Sequence, residues 1–582
     1  MTYRPSVRDI TFCLDHIVDQ PALFGGPAFP EFDRELRDAV LDAAAQLAGD
    51  VLAPLNRKGD LDGARLENGK VVLTPGFAEA AKAYGEGGWY GLAADPAYGG
   101  QGMPKTLEQA CLDMFNGANM AFTLLPTLSQ GAIEAIHTHG SQGQRDLFLP
   151  KLIAGEWSGT MNLTEPQAGS DLAALTTRAE PNEDGTYRLT GQKIFITWGE
   201  HDAVENIVHL VLARLPDAPK GTRGISLFLC PKYLLDSDGK PGERNAVRCV
   251  GLEHKLGIHG SPTCVMAFEG ATGELIGDAN GGLTAMFTMM NAARLAVGFE
   301  GVGLADAAWQ KAQGYATERR QGRSILTGRD SAFIYDHPDV RLMLALMKAK
   351  GEAARAICLL TAAAIDAQHG DDADRIRRRE DFLVPIAKAW STAVGCEAAS
   401  LGVQVHGGMG FIEETGAAQY YRDARIAPIY EGTNGIQAAD LVGRKLGNDG
   451  LAAKELSADI VAFLDAGKDF ASEREAVRSA LSAFDAATDW LLAQKAAAPQ
   501  DVATAATTYL TLSGDLIGGW LLLKGAITAQ SMIDGGDGDK DWLEDRVRLA
   551  RLYCAHVLPH AAAHLAVIRS GFGALDGLKL EL

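Results

Sequence analysis

An α+β chain of several domains is predicted, helical at both ends with a small antiparallel β domain between. Three observations predict it. The chain has 582 residues, far more than one core serves at roughly 150 residues per domain. Apolar residues recur at helical spacing before about residue 155 and again after the Gly281-Gly282 pair. Between those stretches, short runs rich in Ile, Val, Leu and Phe follow one another without intervening helices, which argues against a βαβ nucleotide fold.

In chain order, Leu36, Val40, Leu41, Ala44, Leu47, Val51 and Leu55 mark one helix face within residues 34–56. Further Ala- and Leu-rich segments follow, broken by the glycines from Gly85 to Gly102. Residues 1–158 are therefore taken as a helical domain. Strands are predicted at Tyr187–Thr197, Asn206–Leu215, Gly224–Cys230 and Thr263–Phe268, separated by Asp, Gly, Pro and Lys turns, within a β domain of residues 159–282. Residues 283–446 read as a helical bundle. Leu446-Gly-Asn-Asp-Gly450 reads as a linker into a helical extension over residues 447–582.

Lys and Arg number 54 against 74 Asp and Glu, a net charge of -20. A nucleic-acid scaffold is disfavoured, because phosphate binding needs clustered cations. The hydrophobic fraction of 47% is that of a packed globular chain. Eight cysteines show no Cys-x-x-Cys pattern and several lie in apolar runs, so buried thiols in a reducing cytoplasm are expected. Neither a signal-peptide apolar region nor an uncharged apolar run of ~18 residues is found, so stable membrane insertion is not expected.

Several constellations invite a metal or nucleotide reading. His556, His560 and His564 share a spacing of four, but Pro559 interrupts the turn and no carboxylate or cysteine joins them. The acidic run from Asp534 to Asp541 lacks the Gly and terminal Glu of a calcium loop. Gly301-Val-Gly303 reads as a close helix contact. No metal is expected.

Two segments carry a stronger signal. Met161-Asn-Leu-Thr-Glu-Pro-Gln-Ala-Gly-Ser-Asp171 packs hydroxyls and small residues into a turn where strands begin, a form that aims N–H groups at a polar ligand. Gln404-Val-His-Gly-Gly-Met-Gly-Phe411 is followed by Tyr430-Glu-Gly-Thr-Asn-Gly-Ile-Gln437, where a carboxylate beside Gly432 can approach a substrate closely. A purely structural alternative has Thr433 or Asn434 capping a helix and Glu431 merely exposed.

Together these segments resemble the acyl-CoA dehydrogenase family of flavoproteins, in the same order and with family-like separations. One family signature is matched at Leu163, Thr164, Glu165, Gly169, Ser170, Asp171 and Ala174, and a second at Gln404, Gly407, Gly408, Gly410, Glu414 and Asp423. Gln419 stands where the family has a basic residue. The N-terminal lead, the segment Lys255–Ser261, the segment Met286–Arg294 and the helical extension are most similar to a long bacterial subfamily containing 3-methylmercaptopropionyl-CoA dehydrogenase.

The resemblance implies FAD as cofactor and Glu431 as the base removing the α-proton of an acyl-CoA, giving a trans-2-enoyl-CoA. It implies 3-(methylthio)propanoyl-CoA as substrate, in dimethylsulfoniopropionate catabolism, and electron-transfer flavoprotein as acceptor. Medium- or long-chain fatty acyl-CoA oxidation is the alternative; a flavin-containing DNA-protection protein is remote, since the C-terminal region lacks a basic face. Ala293 occupies the place where some relatives carry the base and cannot take a proton.

Ser170, Asn291, Arg294 and Gly432 are implied on the substrate side, with a surface ion pair as the plain alternative for Arg294. Met161, Leu163, Thr164, Gly169, Ser170, Phe195 and Thr197 are implied around the FAD, together with Thr433 and Gly435. Trp198 is either a cofactor neighbour or core. Arg319, Gln404, Gly407 and Gly408 are implied to reach the FAD of a neighbouring subunit in a homo-oligomer, with a dimer favoured.

Overall fold

A computed structural model of the protein describes residues 3–369 and 372–579. The first helical region contains α1 (Val7–His16), α2 (Arg34–Gln46), α3 (Ala53–Asp62), α4 (Phe77–Glu86), α5 (Lys105–His139) and α6 (Gln142–Ile153). α5 is the central rod, buried along nearly its whole length. A hairpin of β1 (Arg65–Glu67) and β2 (Lys70–Val72) interrupts the helices, which the sequence reading did not anticipate. Its turn residues Asn68 and Gly69 take φ of 50° and 76°, the positive values that a two-residue hairpin turn requires.

The middle region contains β3 (Trp157–Asn162), β4 (Arg178–Pro181), β5 (Tyr187–Thr197), β6 (Asn206–Ala213), β7 (Ser226–Pro231), β8 (Tyr233–Leu235), β9 (Pro241–Arg244), β10 (Val247–Leu252) and β11 (Thr263–Ile276). The main sheet runs β3-β6-β7-β11-β5-β4, with β10 on β11 and β8-β9 apart as a hairpin. All its pairings are antiparallel except one. β3 and β6 are parallel, Trp157 opposite Asn206 through Asn162 opposite Val211, because β4 and β5 intervene before the chain returns beside β3.

The bundle contains α7 (Gly282–Glu318), α8 (Pro338–Asp366), α9 (Ala373–His406), α10 (Ala417–Ala424) and α11 (Asn434–Asp440). α7 packs between α5 and α9. Its glycines permit the approach: a Cβ at Gly301 would stand 2.3 Å from the Ser391 carbonyl oxygen, and one at Gly303 would stand 2.5 Å from the Gly117 nitrogen. The close helix contact read from Gly301-Val-Gly303 is thus present.

The extension contains α12 (Gly447–Asp465), α13 (Ala471–Ala497), α14 (Pro499–Gly535), α15 (Lys540–His556) and α16 (His560–Ser570). The linker read at Leu446–Gly450 is a left-handed turn, with Asn448, Asp449 and Gly450 at φ of 48°, 52° and 70°. α14 is long and apolar enough to cross a membrane by length and composition, and 61% of its apolar window is buried in the protein against α8, α13, α15 and α16. A buried ionic junction ties the extension to the rest. Lys348 of α8 meets Asp9 at 2.6 Å and Glu352 at 2.7 Å, Arg355 meets Asp113 at 2.6 Å, and Arg546 of α15 reaches Asp9 at 3.0 Å. Removing one partner would strand a buried charge.

Candidate active site

The loop after β3 is organised by Glu165. Its carboxylate accepts from the Thr176 N–H at 2.8 Å, the Thr177 N–H at 3.0 Å, both threonine hydroxyls at 2.7 and 2.5 Å, and the Gln167 amide at 2.6 Å. Lys193 of β5 completes the set at 2.9 Å. Burial pushes the Glu165 pKa up, but Lys193 and the hydroxyls outweigh it and hold it at about 2. Burial also lowers Lys193, to about 8, against the pull of Glu165.

This hub fixes how β3 meets β5. Lys193 Nζ donates to the Leu163 carbonyl at 3.0 Å, and the Ile194 N–H to the Thr164 carbonyl at 2.9 Å. Leu163 and Thr164, following Met161 at the end of β3, therefore lie beside the stretch of β5 that leads into Phe195 and Thr197, with Gly169 and Ser170 exposed on the loop. Phe195 holds a left-handed φ of 60° and is 58% exposed. A non-glycine residue in that region costs roughly 1–3 kcal/mol, and here it turns an aromatic ring outward. Trp198 does the opposite: fully buried, it stacks on Phe77 and donates Nε1–H to the Ala121 carbonyl at 3.2 Å, so core packing is its role.

The second cluster lies on the loop before α11. Glu431 is left-handed at φ 55° and Gly432 at 84°. A Cβ on Gly432 would meet the Gln437 amide at 2.7 Å, so a side chain there would be strained and crowded. Thr433 caps α11, accepting from the Ile436 N–H at 3.2 Å. The cap is present, yet Glu431 is half-buried, not a free surface residue. Its carbonyl accepts from Gln437 Nε2 at 3.1 Å and Arg294 Nε at 3.4 Å.

The Glu431 carboxylate has no hydrogen-bond partner among the described residues. Burial raises its pKa to about 7, against the downward pull of Arg294 and Lys388. Arg294 is 5% exposed, so a surface ion pair is excluded; it sits 3.4 Å from Asn291 Oδ1 and 3.9 Å from Asp440. Ala293 beside it is buried and offers no base.

Sequence reasoning missed three residues behind this loop. Lys388 of α9 donates to the Gly432 carbonyl at 2.7 Å and to Asn434 Oδ1 at 3.2 Å. Glu300 of α7 accepts from the Tyr430 hydroxyl. Gln437 supplies the amide already named. A lone charge in an apolar helical run was the available signal for Glu300 and Lys388, in Ala296-Val-Gly-Phe-Glu300 and Pro385-Ile-Ala-Lys388.

Arg319, Gln404, Gly407 and Gly408 form a third, exposed group where α7 and α9 end. Tyr315 and His406, stacked at 4.5 Å, bind those two ends together. No hydrogen bond or ion pair among the described residues joins this group to the other two. Gln419 does not stand idle in place of a basic residue: it donates to Asn56 Oδ1 at 2.9 Å.

The loop after β3 and the exposed group suit a cofactor such as FAD. A Cβ at Gly169, Gly407 or Gly408 would meet nothing within 4 Å, so the backbone there is open to a ligand. Among the described residues no group of three His, Cys, Asp or Glu is arranged for a metal ion; His564 instead faces Asp515 at 3.4 Å.

Known proteins resemble this chain in all four of its regions. The acyl-CoA dehydrogenase N-terminal domain matches residues 34–156, the middle domain 160–271 and the C-terminal domain 280–446, and an acetyl-CoA dehydrogenase C-terminal-like domain matches 455–576. The chain is 45% identical over 572 residues to 3-methylmercaptopropionyl-CoA dehydrogenase of Ruegeria pomeroyi, covering 97% of each. It is 35% identical to a butyryl-CoA dehydrogenase of Syntrophomonas wolfei, over 99% of this chain and 97% of the relative. An acyl-CoA dehydrogenase of Bacillus anthracis, solved with FAD, shares the fold with a TM-score of 0.75 at 22% identity, covering 93% of this chain and 89% of that one. The chain belongs to the acyl-CoA dehydrogenase family, FAD-dependent oxidoreductases that act on acyl-CoA thioesters.

Proposed function

We propose that the protein converts 3-(methylthio)propanoyl-CoA to 3-(methylthio)acryloyl-CoA, within dimethylsulfoniopropionate catabolism. The observation that carries the substrate is the 45% identity, over 97% of both chains, to the Ruegeria enzyme of that name. Glu431 is the base. Its carboxylate, short of donors and raised to about 7 by burial, is suited to take the α-proton near neutral pH. The Glu431 backbone N–H donates to no group among the described residues, which leaves it for the thioester oxygen as enolate character develops.

Arg294 and Gln437 hold the Glu431 carbonyl and so fix the left-handed turn on which that N–H is carried. Asn291, Gly432 and Ser170 are assigned to the substrate side. FAD, when bound, supplies the two-electron acceptor for the β-hydrogen. Met161, Leu163, Thr164, Gly169, Ser170, Phe195, Thr197, Thr433 and Gly435 are proposed to hold it in the same subunit.

Arg319, Gln404, Gly407 and Gly408 are proposed to reach the FAD of a second copy in a homodimer. Support comes from the apolar residues beside them, Met409, Ile412 and the 87%-exposed Phe411, which a subunit contact would cover. Electron-transfer flavoprotein is the proposed acceptor. A cytoplasmic location without stable membrane insertion is supported by eight cysteines that remain free thiols, seven of them buried. No nucleic-acid partner is proposed for so acidic a chain. The domain limits at 158/159, 282/283 and 446/447 remain part of this proposal, supported by the breaks between the matched family segments.

A second reading, a short straight-chain acyl-CoA substrate, is favoured by the 35% identity to the butyryl-CoA enzyme. Turnover on 3-methylthiopropionyl-, butanoyl- and palmitoyl-CoA separates the readings. The expected order of kcat/KM is as written; a butanoyl preference selects the second reading, and a marked palmitoyl preference rejects both.

A further inference from the structure

Two ionisable side chains lie buried behind the Glu431 loop, and the reaction as described uses neither. Lys388 is 0% exposed and Glu300 1% exposed. They reach the loop from different helices and act on its two ends. Lys388 Nζ, from α9, donates to the Gly432 carbonyl at 2.7 Å and to Asn434 Oδ1 at 3.2 Å, while Asn434 Nδ2 donates back to the Ala389 carbonyl at 2.9 Å. Glu300, from α7, accepts from the hydroxyl of Tyr430, the residue preceding Glu431, and its other oxygen has no partner. Burying a lysine in this way costs several kcal/mol unless its charge is used. A capping amide alone would hold the turn without that penalty.

We propose that Lys388 is a positioning residue for Glu431: it clamps the left-handed Glu431–Gly432 turn and supplies a positive charge that favours the ionised carboxylate, while Glu300 anchors Tyr430. The proposal rests on Glu431 being the base. The charged groups around Glu431 are few. α7 contributes Arg294 and Glu300, α9 Lys388, α11 Asp440 near Arg294, and the turn after α11 Arg444, which is held at 2.5 Å by Asp440. Arg294 is half-committed to Asp440 and the Glu431 carbonyl. Lys388, by contrast, has no carboxylate within ion-pair distance among the described residues, and its field acts on both Glu300 and Glu431. Burial raises Glu300 to about 8 and lowers Lys388 to about 8; near pH 7 that leaves the carboxyl protonated and the ammonium charged.

The test is an infrared difference titration of the Glu431 carboxyl in the FAD-loaded protein, identified by its loss in Glu431→Gln, alongside the pH profile of flavin bleaching by butanoyl-CoA and 3-methylthiopropionyl-CoA. In Lys388→Met and in Lys388→Gln, which retains a donor, the Glu431 midpoint rises from about 7 by about one unit. That corresponds to tenfold in proton affinity. kcat/KM at pH 6 falls by about tenfold, with recovery at pH 9, and Lys388→Arg restores the midpoint. An unmoved midpoint in the neutral variants makes Lys388 a structural prop and overturns the proposal. If Lys388→Met does not hold FAD, Lys388→Gln decides by the same measurement.

Glu300→Gln supplies the independent check. The carbonyl band titrating near 8 disappears, and the Glu431 midpoint stays near 7 because Glu300 is already uncharged there. A midpoint that drops shows that Glu300 is ionised at neutral pH, against the proposal. Bleaching that survives Glu431→Gln removes the assignment of the base itself, an outcome distinct from any shift in the Lys388 variants.

Discussion

Glu165 and Glu431 are both acidic residues on loops that leave regular structure, both face a buried cation, and they end with opposite character. Glu165 receives five hydrogen bonds besides its ion pair with Lys193 and is held at about 2. Glu431 has no donor on its carboxylate among the described residues, and burial carries it to about 7. A cation in direct contact, backed by donors aimed at the carboxylate, makes Glu165 part of the frame, whereas the Glu431 carboxylate has neither contact among the described residues and keeps the character its proposed role as base requires. The sheet-side loop is built to be saturated; the loop before α11 is built to be left wanting.

The sharpest break of this contrast removes the unsaturated member. Glu431→Gln is expected to lower substrate-driven flavin bleaching by roughly 10²–10⁴-fold while FAD stays bound and thermal stability changes little, since no hydrogen bond is lost from its side chain. Stopped-flow absorbance and a melting scan read both quantities; turnover near wild type would remove Glu431 from the base role. Glu165→Gln should do the reverse. It leaves Lys193, 0% exposed, without its counter-charge, at a cost of about 3–5 kcal/mol by denaturant titration, and weakens FAD retention because β3 and β5 lose their common anchor. A variant as stable as wild type would contradict the hub.

The two carboxylates also predict opposite pH responses. Glu165 is held below its ordinary value of 4.5, so its contribution is fully present above pH 4.5 and is lost as pH falls toward about 2. Glu431 is raised, so the folded state binds its proton more tightly than the unfolded chain does. Its contribution to stability declines as pH rises from 4.5 to about 7, while kcat/KM rises through the same value. A kcat/KM profile with its acid limb near 4.5 would show that burial does not set this base. The smallest effect comes from Thr177→Val, which removes one hydroxyl from Glu165 and is expected to cost about 1–3 kcal/mol with the bleaching rate retained.

Much of this was legible before any coordinates. The helical periodicity of residues 34–56 corresponds to α2 and the start of α3, and the four strands read between 187 and 268 correspond to β5, β6, β7 and β11. Glu431 was singled out because a carboxylate beside glycine in a bulk-free loop can approach a substrate closely and because the family resemblance implies a base there. The β1-β2 hairpin was missed although Asn68-Gly69 announces it, since strands of three residues carry too little periodicity to read. The parallel β3–β6 pair was missed because strand direction follows from the path of the chain between them, which local pattern does not encode.

The sequence alone determined the family, the order of helical and β regions, the loop carrying Glu431 and the absence of a proton acceptor at Ala293. Periodicity, turn residues and signature spacing are properties of neighbours along the chain, and they survive without a fold. Only the tertiary structure decided that Arg294 is buried, that Trp198 belongs to the core, and that Lys388 binds Gly432 while Glu300 binds Tyr430. Those outcomes depend on desolvation and on distances between α7, α9 and the loop. A residue's charge becomes a mechanism only once its neighbours have excluded water from around it.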